Sequence, residues 1–273
     1  MRPDRPSDPE RTPISLSRGP IQVSQEGPNG APVILMVHGY PGSGRDFRWL
    51  APALNRWFRV IRLDMPGMGG TPVHTGKGTR LESRVDVVQE LIETMDLRDF
   101  CVLGHSMGGG IVSAVAGRCA DRIRALVLLS SIGLRPHRLF RQTYPGATQR
   151  ALDIPVIGSL AWPLVRWGYR RAGFSRSITD SELRYALLCA ATLDFTEVSR
   201  SHRSHQIPTM SAWAEDDPMI ESNILQELDA VLPFGPRLSF QTGGHNIQKT
   251  RAGEIAEELI SWLKDSCDFQ IDP

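Results

Sequence analysis

Apolar and polar positions along the chain fall into two alternating patterns. Continuous apolar runs occupy residues 33–37, 100–103 and 125–129; a run at 60–63 is broken only by Arg62, a weaker one lies at 207–214, and a last one, with apolar residues at alternate positions, at 237–241. Between them, apolar residues recur every three or four positions. Phe47, Leu50, Leu54 and Trp57 predict a helix over 46–57, and Val85, Val88, Leu91 and Ile92 predict another over 81–95. Ile255, Leu259, Ile260 and Leu263 mark an amphipathic helix near the C-terminus. Continuous strands separated by helices predict an α/β fold with a mostly parallel central sheet and helices on both faces. In such sheets, ligands bind beyond the carboxyl ends of the strands. Nearer the start, apolar residues at 14–16 and 21–23 flank Arg18-Gly19-Pro20 and predict an antiparallel hairpin.

One stretch breaks the alternation. Residues 133–206 separate two strand signals by far more than a usual connection. An insertion of that size at the carboxyl edge of a sheet is expected to be a helical cap, leaving 14–132 and 207–273 as the core. The cap carries eleven arginines, no lysine and five acids, a net charge of +6. A solvated face is the simpler reading of that excess, and steering of an anionic substrate is the sharper one. Residues 154–165 (IPVIGSLAWPLV) carry no charge at all. Packing within the cap is the expected use of this run, ahead of an acyl-pocket wall or a membrane contact. At 12 residues it is too short to span a bilayer, which takes about 20.

Composition narrows the class. With 273 residues, 41% hydrophobic and 22% charged, the chain is long enough for one large α/β domain with a real core. A net charge of +1 argues against a nucleic-acid binder, so the expected partner is a small-molecule substrate, with homo-oligomerisation left open. Residues 1–13, with four prolines and six charges, lack the apolar stretch of a secretion signal and are expected to be a disordered tail. The four cysteines (Cys101, Cys119, Cys189, Cys267) are scattered and form no CxxC pair. Zinc-ligand spacing is therefore missing, and buried thiols in the cytoplasm are expected.

The candidate chemistry sits at the ends of the strand signals. Gly104-His105-Ser106-Met107-Gly108 follows an apolar strand directly and precedes a helical run at 111–120. A sharp strand-to-helix turn lifts a serine hydroxyl out of the sheet edge, and glycines at its flanks avoid collision there. A serine nucleophile needs a base, and the base needs an orienting acid. Of seven histidines, His245 in Gly243-Gly244-His245-Asn246 has the right strand-end position. Glu215-Asp216-Asp217-Pro218 follows the penultimate strand; Asp217 is the preferred acid because Pro218 favours an extended conformation before it, and Asp216 is the reserve. Two N–H groups, of Tyr40 in the His38-Gly39-Tyr40-Pro41-Gly42 loop and of Met107, are the expected oxyanion donors. His38 is expected to brace that loop.

These segments, together with Asp64-Met65-Pro66-Gly67-Met68-Gly69-Gly70-Thr71, resemble the α/β-hydrolase superfamily. The Asp64 loop is similar to that of the capped branch, which includes epoxide hydrolases, haloalkane dehalogenases, carbon–carbon bond hydrolases, esterases and cofactor-free haloperoxidases. The resemblance implies a Ser106–His245–Asp217 triad cleaving a carboxylic ester of small or medium size, with no cofactor and no metal. Epoxide hydrolases and haloalkane dehalogenases use an aspartate nucleophile, and position 106 is serine. Carbon–carbon hydrolases usually carry tryptophan after the histidine, where this chain has Asn246. Carbon–carbon cleavage, acyl transfer and a ligand-receptor role on the same fold are the alternatives.

Overall fold

The computed structural model describes residues 6–74, 78–171, 174–175 and 177–270. Its strands are β1 (Arg11–Leu16), β2 (Gly19–Glu26), β3 (Val33–Val37), β4 (Arg59–Asp64), β5 (Phe100–His105), β6 (Ile123–Leu129), β7 (Thr209–Ala214) and β8 (Arg237–Phe240). They form one eight-stranded sheet in the order β1-β2-β4-β3-β5-β6-β7-β8. β2 pairs antiparallel with both β1 and β4, and the five remaining pairs are parallel.

The helices are α1 (Ala51–Leu54), α2 (Leu81–Thr94), α3 (Met107–Arg118), α4 (Arg138–Thr143), α5 (Pro145–Leu152) and α6 (Pro155–Arg171). They continue with α7 (Asp180–Ala191), α8 (Phe195–Arg203), α9 (Ser222–Asp229), α10 (Ile247–Thr250) and α11 (Ala252–Ser266). Strand residues alternate between two cores, as the pleat requires. Leu35 and Val37 of β3 pack with α2, α3 and α9 on one face. Ile34 and Met36 pack with α1 and α11 on the other. Burial on both faces is why the central strands read as unbroken apolar runs.

Three local expectations change. The helix predicted over 46–57 is a 3-10 turn at Gly44–Phe47 followed by the short α1. Pro52 sits in the first turn of α1, where its missing N–H costs nothing, and so marks a fresh start rather than a helix interior. The predicted tail is ordered over its second half. β1 begins at Arg11, paired with Ser24, and Ser7 donates its N–H to the Arg48 carbonyl (2.8 Å) and its hydroxyl to Glu26 (3.0 Å). Only residues 1–5 of that expected tail lie outside the described residues. β1 is a half-exposed edge strand whose first residues, Arg11-Thr12-Pro13, are not apolar, so that half carries little apolar signal. α9 and α10 are also additional to the sequence reading.

Among the described residues, five helices, α4 to α8, lie between β6 and β7. α8 packs on α3, and α5 packs on α6 and α7. Leu152, Trp162, Leu183 and Leu187 form a small apolar cluster of their own there.

Candidate functional site

Ser106 stands at the junction of β5 and α3 with φ 54° and ψ −120°. A non-glycine residue held at positive φ is strained, and it persists because the surroundings leave no alternative. A β-carbon added to Gly108 would lie 2.3 Å from the Val37 carbonyl oxygen, and one on Gly104 would lie 2.5 Å from that of Gly108. The strand, turn and helix can approach so closely only with glycine at both places. The turn leaves Ser106 partly exposed while its neighbours are buried.

His245 lies in the loop after β8, and Asp217 in the loop after β7. The Ser106 hydroxyl donates to His245 Nε2 at 2.9 Å, and His245 Nδ1–H donates to Asp217 Oδ2 at 2.7 Å. The other Asp217 oxygen accepts the N–H groups of Met219 (2.8 Å) and Ile220 (3.1 Å). Burial alone would raise the Asp217 carboxyl; the adjacent His245 ring, its hydrogen bond and the two backbone donors outweigh this and hold it below the ordinary aspartate value. The neighbouring acids are otherwise engaged. Asp216 accepts the Gly244 N–H at 2.7 Å and so ties down the histidine loop, while Glu215 accepts from the Gln241 amide at 2.9 Å. Of the three carboxylates, only Asp217 bonds the imidazole.

The loop after β3 passes over the serine. A β-carbon on Gly39 would lie 2.9 Å from Ser106 Cβ, which brings the Tyr40 backbone to the site. Met107 opens α3, where N–H groups have no partner within the helix. His38 accepts the Met65 N–H at Nε2 (3.0 Å) and donates from Nδ1 to the Gly39 carbonyl (2.6 Å), the expected brace. Asp64 adds a second brace: it accepts the N–H groups of Gly44 (2.7 Å) and Gly70 (2.8 Å) and pairs with Arg11 (2.9 Å).

Two further residues belong to this neighbourhood and escaped the sequence reading. His105 donates from Nε2 to the His245 carbonyl at 3.0 Å. Burial first, and then the nearby His245, push its pKa down to about 3, so its ring stays neutral and keeps that donor. Arg84 of α2 is buried, with its guanidinium 5.4 Å from the Tyr40 ring centroid and in contact with Met107 Sδ. Its charge is met by the carbonyls of Arg80 (3.2 Å) and Cys189 (3.5 Å) and by no carboxylate among the described residues. A lone arginine in an amphipathic helix reads as solvent-facing, so the sequence holds no signal for it.

A cavity of about 1040 Å³ opens from Ser106 and His245. The segment between β6 and β7 lines it with apolar residues, among them Phe140, Val165, Tyr169, Phe174, Leu187 and Leu193, beside polar ones such as Thr148 and Glu182. A shape of this kind suits a ligand with a sizeable apolar part.

Residues 32–252 match the family described as alpha/beta hydrolase fold. The dihydrolipoyllysine-residue acetyltransferase component of an acetoin cleaving system from Pseudomonas putida is 27% identical over 245 residues, covering 87% of this chain and 65% of that protein. The chain thus spans just under two thirds of that relative's length. The uncharacterized hydrolase YugF of Bacillus subtilis (strain 168) is 23% identical over 252 residues, covering 86% of this chain and 91% of its own. In fold, the crystal structure of an alpha/beta hydrolase fold protein from Burkholderia ambifaria is similar with a TM-score of 0.76 at 19% identity, covering 92% of this chain and 97% of that one. Strand order, strand-to-helix serine turn and sequence match agree: the chain belongs to the alpha/beta hydrolase fold family.

Proposed function

We propose that the protein is a serine hydrolase cleaving a carboxylic ester, with Ser106 as nucleophile, His245 as base and Asp217 as its orienting acid. The observation that carries this reading is the unbroken hydrogen-bond series from Asp217 through His245 to Ser106 at the mouth of the cavity. His245 Nε2 takes the hydroxyl proton as Ser106 Oγ attacks the ester carbonyl. The Tyr40 and Met107 N–H groups hold the oxyanion, and Asp217 stabilises the imidazolium. His245 then protonates the leaving alcohol, and water resolves the acyl-enzyme by the same route. The helices between β6 and β7 act as the cap, with the acyl part of the substrate against their apolar wall.

Hydrolysis of a p-nitrophenyl ester series tests this, with wild type and Ser106→Ala side by side. The expected outcome is turnover that favours medium acyl chains and falls by about 10⁴-fold or more in the variant. Equal rates in the two proteins would overturn the assignment. Acyl transfer to an acceptor other than water is the second reading, favoured by the acetyltransferase name of the Pseudomonas putida relative. An added alcohol or thiol that captures most of the acyl group, at the expense of hydrolysis, would select it.

A further inference from the structure

The uncharged run at 154–165 is expected to pack inside the cap, and most of it does not. It falls largely in α6, where Val156 is 71% exposed, Leu160 78%, Leu164 67% and Trp167 62%, with Ile157 at 47%. At 100° per residue these positions lie on one strip of the helix. Gly158 and Trp162 are buried on the opposite side, and Val165 and Tyr169 line the cavity that leads to Ser106. The helix therefore has two apolar faces, one covered and one bare, and a contiguous bare face of this kind marks an interaction site.

Charge identifies the partner. At 100° per residue Arg171 falls within the strip at its C-terminal end and Arg170 lies beside its Val156 edge, whereas Arg166 lies toward the buried side. Arg166 is paired with Asp180 at 3.6 Å, whereas Arg170 donates to the carbonyls of Ser175 and Ile178, which leaves its charge in place. Arg184 nearby stacks on Trp162 at 3.9 Å. Asp153, just before the helix, is the acid at the other end of the strip. Across 133–206 the balance is eleven arginines against five acids. A second copy meeting this face would bring only Asp153 against the Arg170–Arg171 end and leave the arginine excess unmatched, whereas an anionic surface complements it. No described helix is long and apolar enough to cross a membrane, so the contact is with a surface.

We propose that the outward face of α6 docks on an anionic lipid bilayer. Leu160, Leu164 and Trp167 enter the boundary between headgroups and acyl chains, and Arg170 and Arg171 meet lipid phosphates. The inward face of the same helix is part of the cavity wall, so docking sets the roof of the site against lipid. The inference stands apart from the chemistry at Ser106, because docking is read without turnover.

Sedimentation of the full chain with vesicles tests it, using phosphatidylcholine alone and an equal mixture of phosphatidylcholine and phosphatidylglycerol. Wild type is expected to pellet with the mixed vesicles and remain in the supernatant with phosphatidylcholine. Leu160→Glu with Leu164→Glu should lower the bound fraction about tenfold or more, with unchanged far-UV circular dichroism. Arg171→Gln should weaken binding too, leaving the apolar strip intact. Wild type that ignores the mixed vesicles, or binding that survives the two glutamates, overturns the proposal. So does a dimer on gel filtration that the glutamates dissociate while no vesicle is bound, because the face then belongs to a second copy.

Discussion

Asp217 accepts three hydrogen bonds, from the His245 ring and from two backbone N–H groups, and each favours the carboxylate form. Replacing it with asparagine keeps an oxygen for the backbone donors but removes the charge that faces the imidazole. The Asp217→Asn protein should therefore fold with a near-normal melting temperature and lose about 10³- to 10⁴-fold in kcat on a p-nitrophenyl ester. A loss of less than tenfold would mean that the acid is not needed. Ser106, His245 and Asp217, which hydrogen bonds join, were legible as candidates because each sits at the end of a recognisable strand, within a few residues of glycine or proline. His105 and Arg84 were not. Their meaning lies in partners 140 and 23 residues away, and no local pattern announces a contact across that distance.

At the scale of elements, the turn between β5 and α3 depends on absent side chains. A methyl group at position 108 would meet the Val37 carbonyl oxygen at 2.3 Å, so strand and helix would have to part. Gly108→Ala should lower stability by about 1–3 kcal/mol, read by urea denaturation, and shift Ser106 from His245 enough to depress turnover further than the loss of folded protein explains. The central strands were legible for a simple reason: buried on both faces, they show unbroken apolar runs. β1 was foreseen only in part, since an edge strand has one dry face and its first residues look like a polar tail. α6 exposes a deeper limit. An apolar sequence says that a surface wants to leave water, but not whether the chain itself supplies the cover.

Across the whole molecule, several histidines are buried in neutral form. Burial, the largest cause in each case, pushes His105 down to about 3 and His137 and His202 down to about 4. His202 is typical: it donates from Nε2 to the Ile132 carbonyl (2.9 Å) and bonds the Ser113 hydroxyl through Nδ1 (2.9 Å), which a single proton on the ring satisfies. In the unfolded chain these rings titrate near 6.5. Above that value neither state binds the proton, and the stability is complete. Below it the unfolded chain takes protons that the folded one refuses, so stability falls with pH from 6.5 down to about 4 and then levels off. At pH 5 each ring should cost about 2 kcal/mol relative to pH 8. Urea midpoints at the two pH values measure this, and a pH-independent midpoint would show that the rings are protonated in the fold. The whole-molecule arrangement has a further consequence in time. Ser106 and His245 are 139 residues apart, and the histidine hangs from the last strand at the sheet's edge. On the proposed chemistry a nascent chain stays inert until the segment bearing β8 and His245 leaves the ribosome and docks.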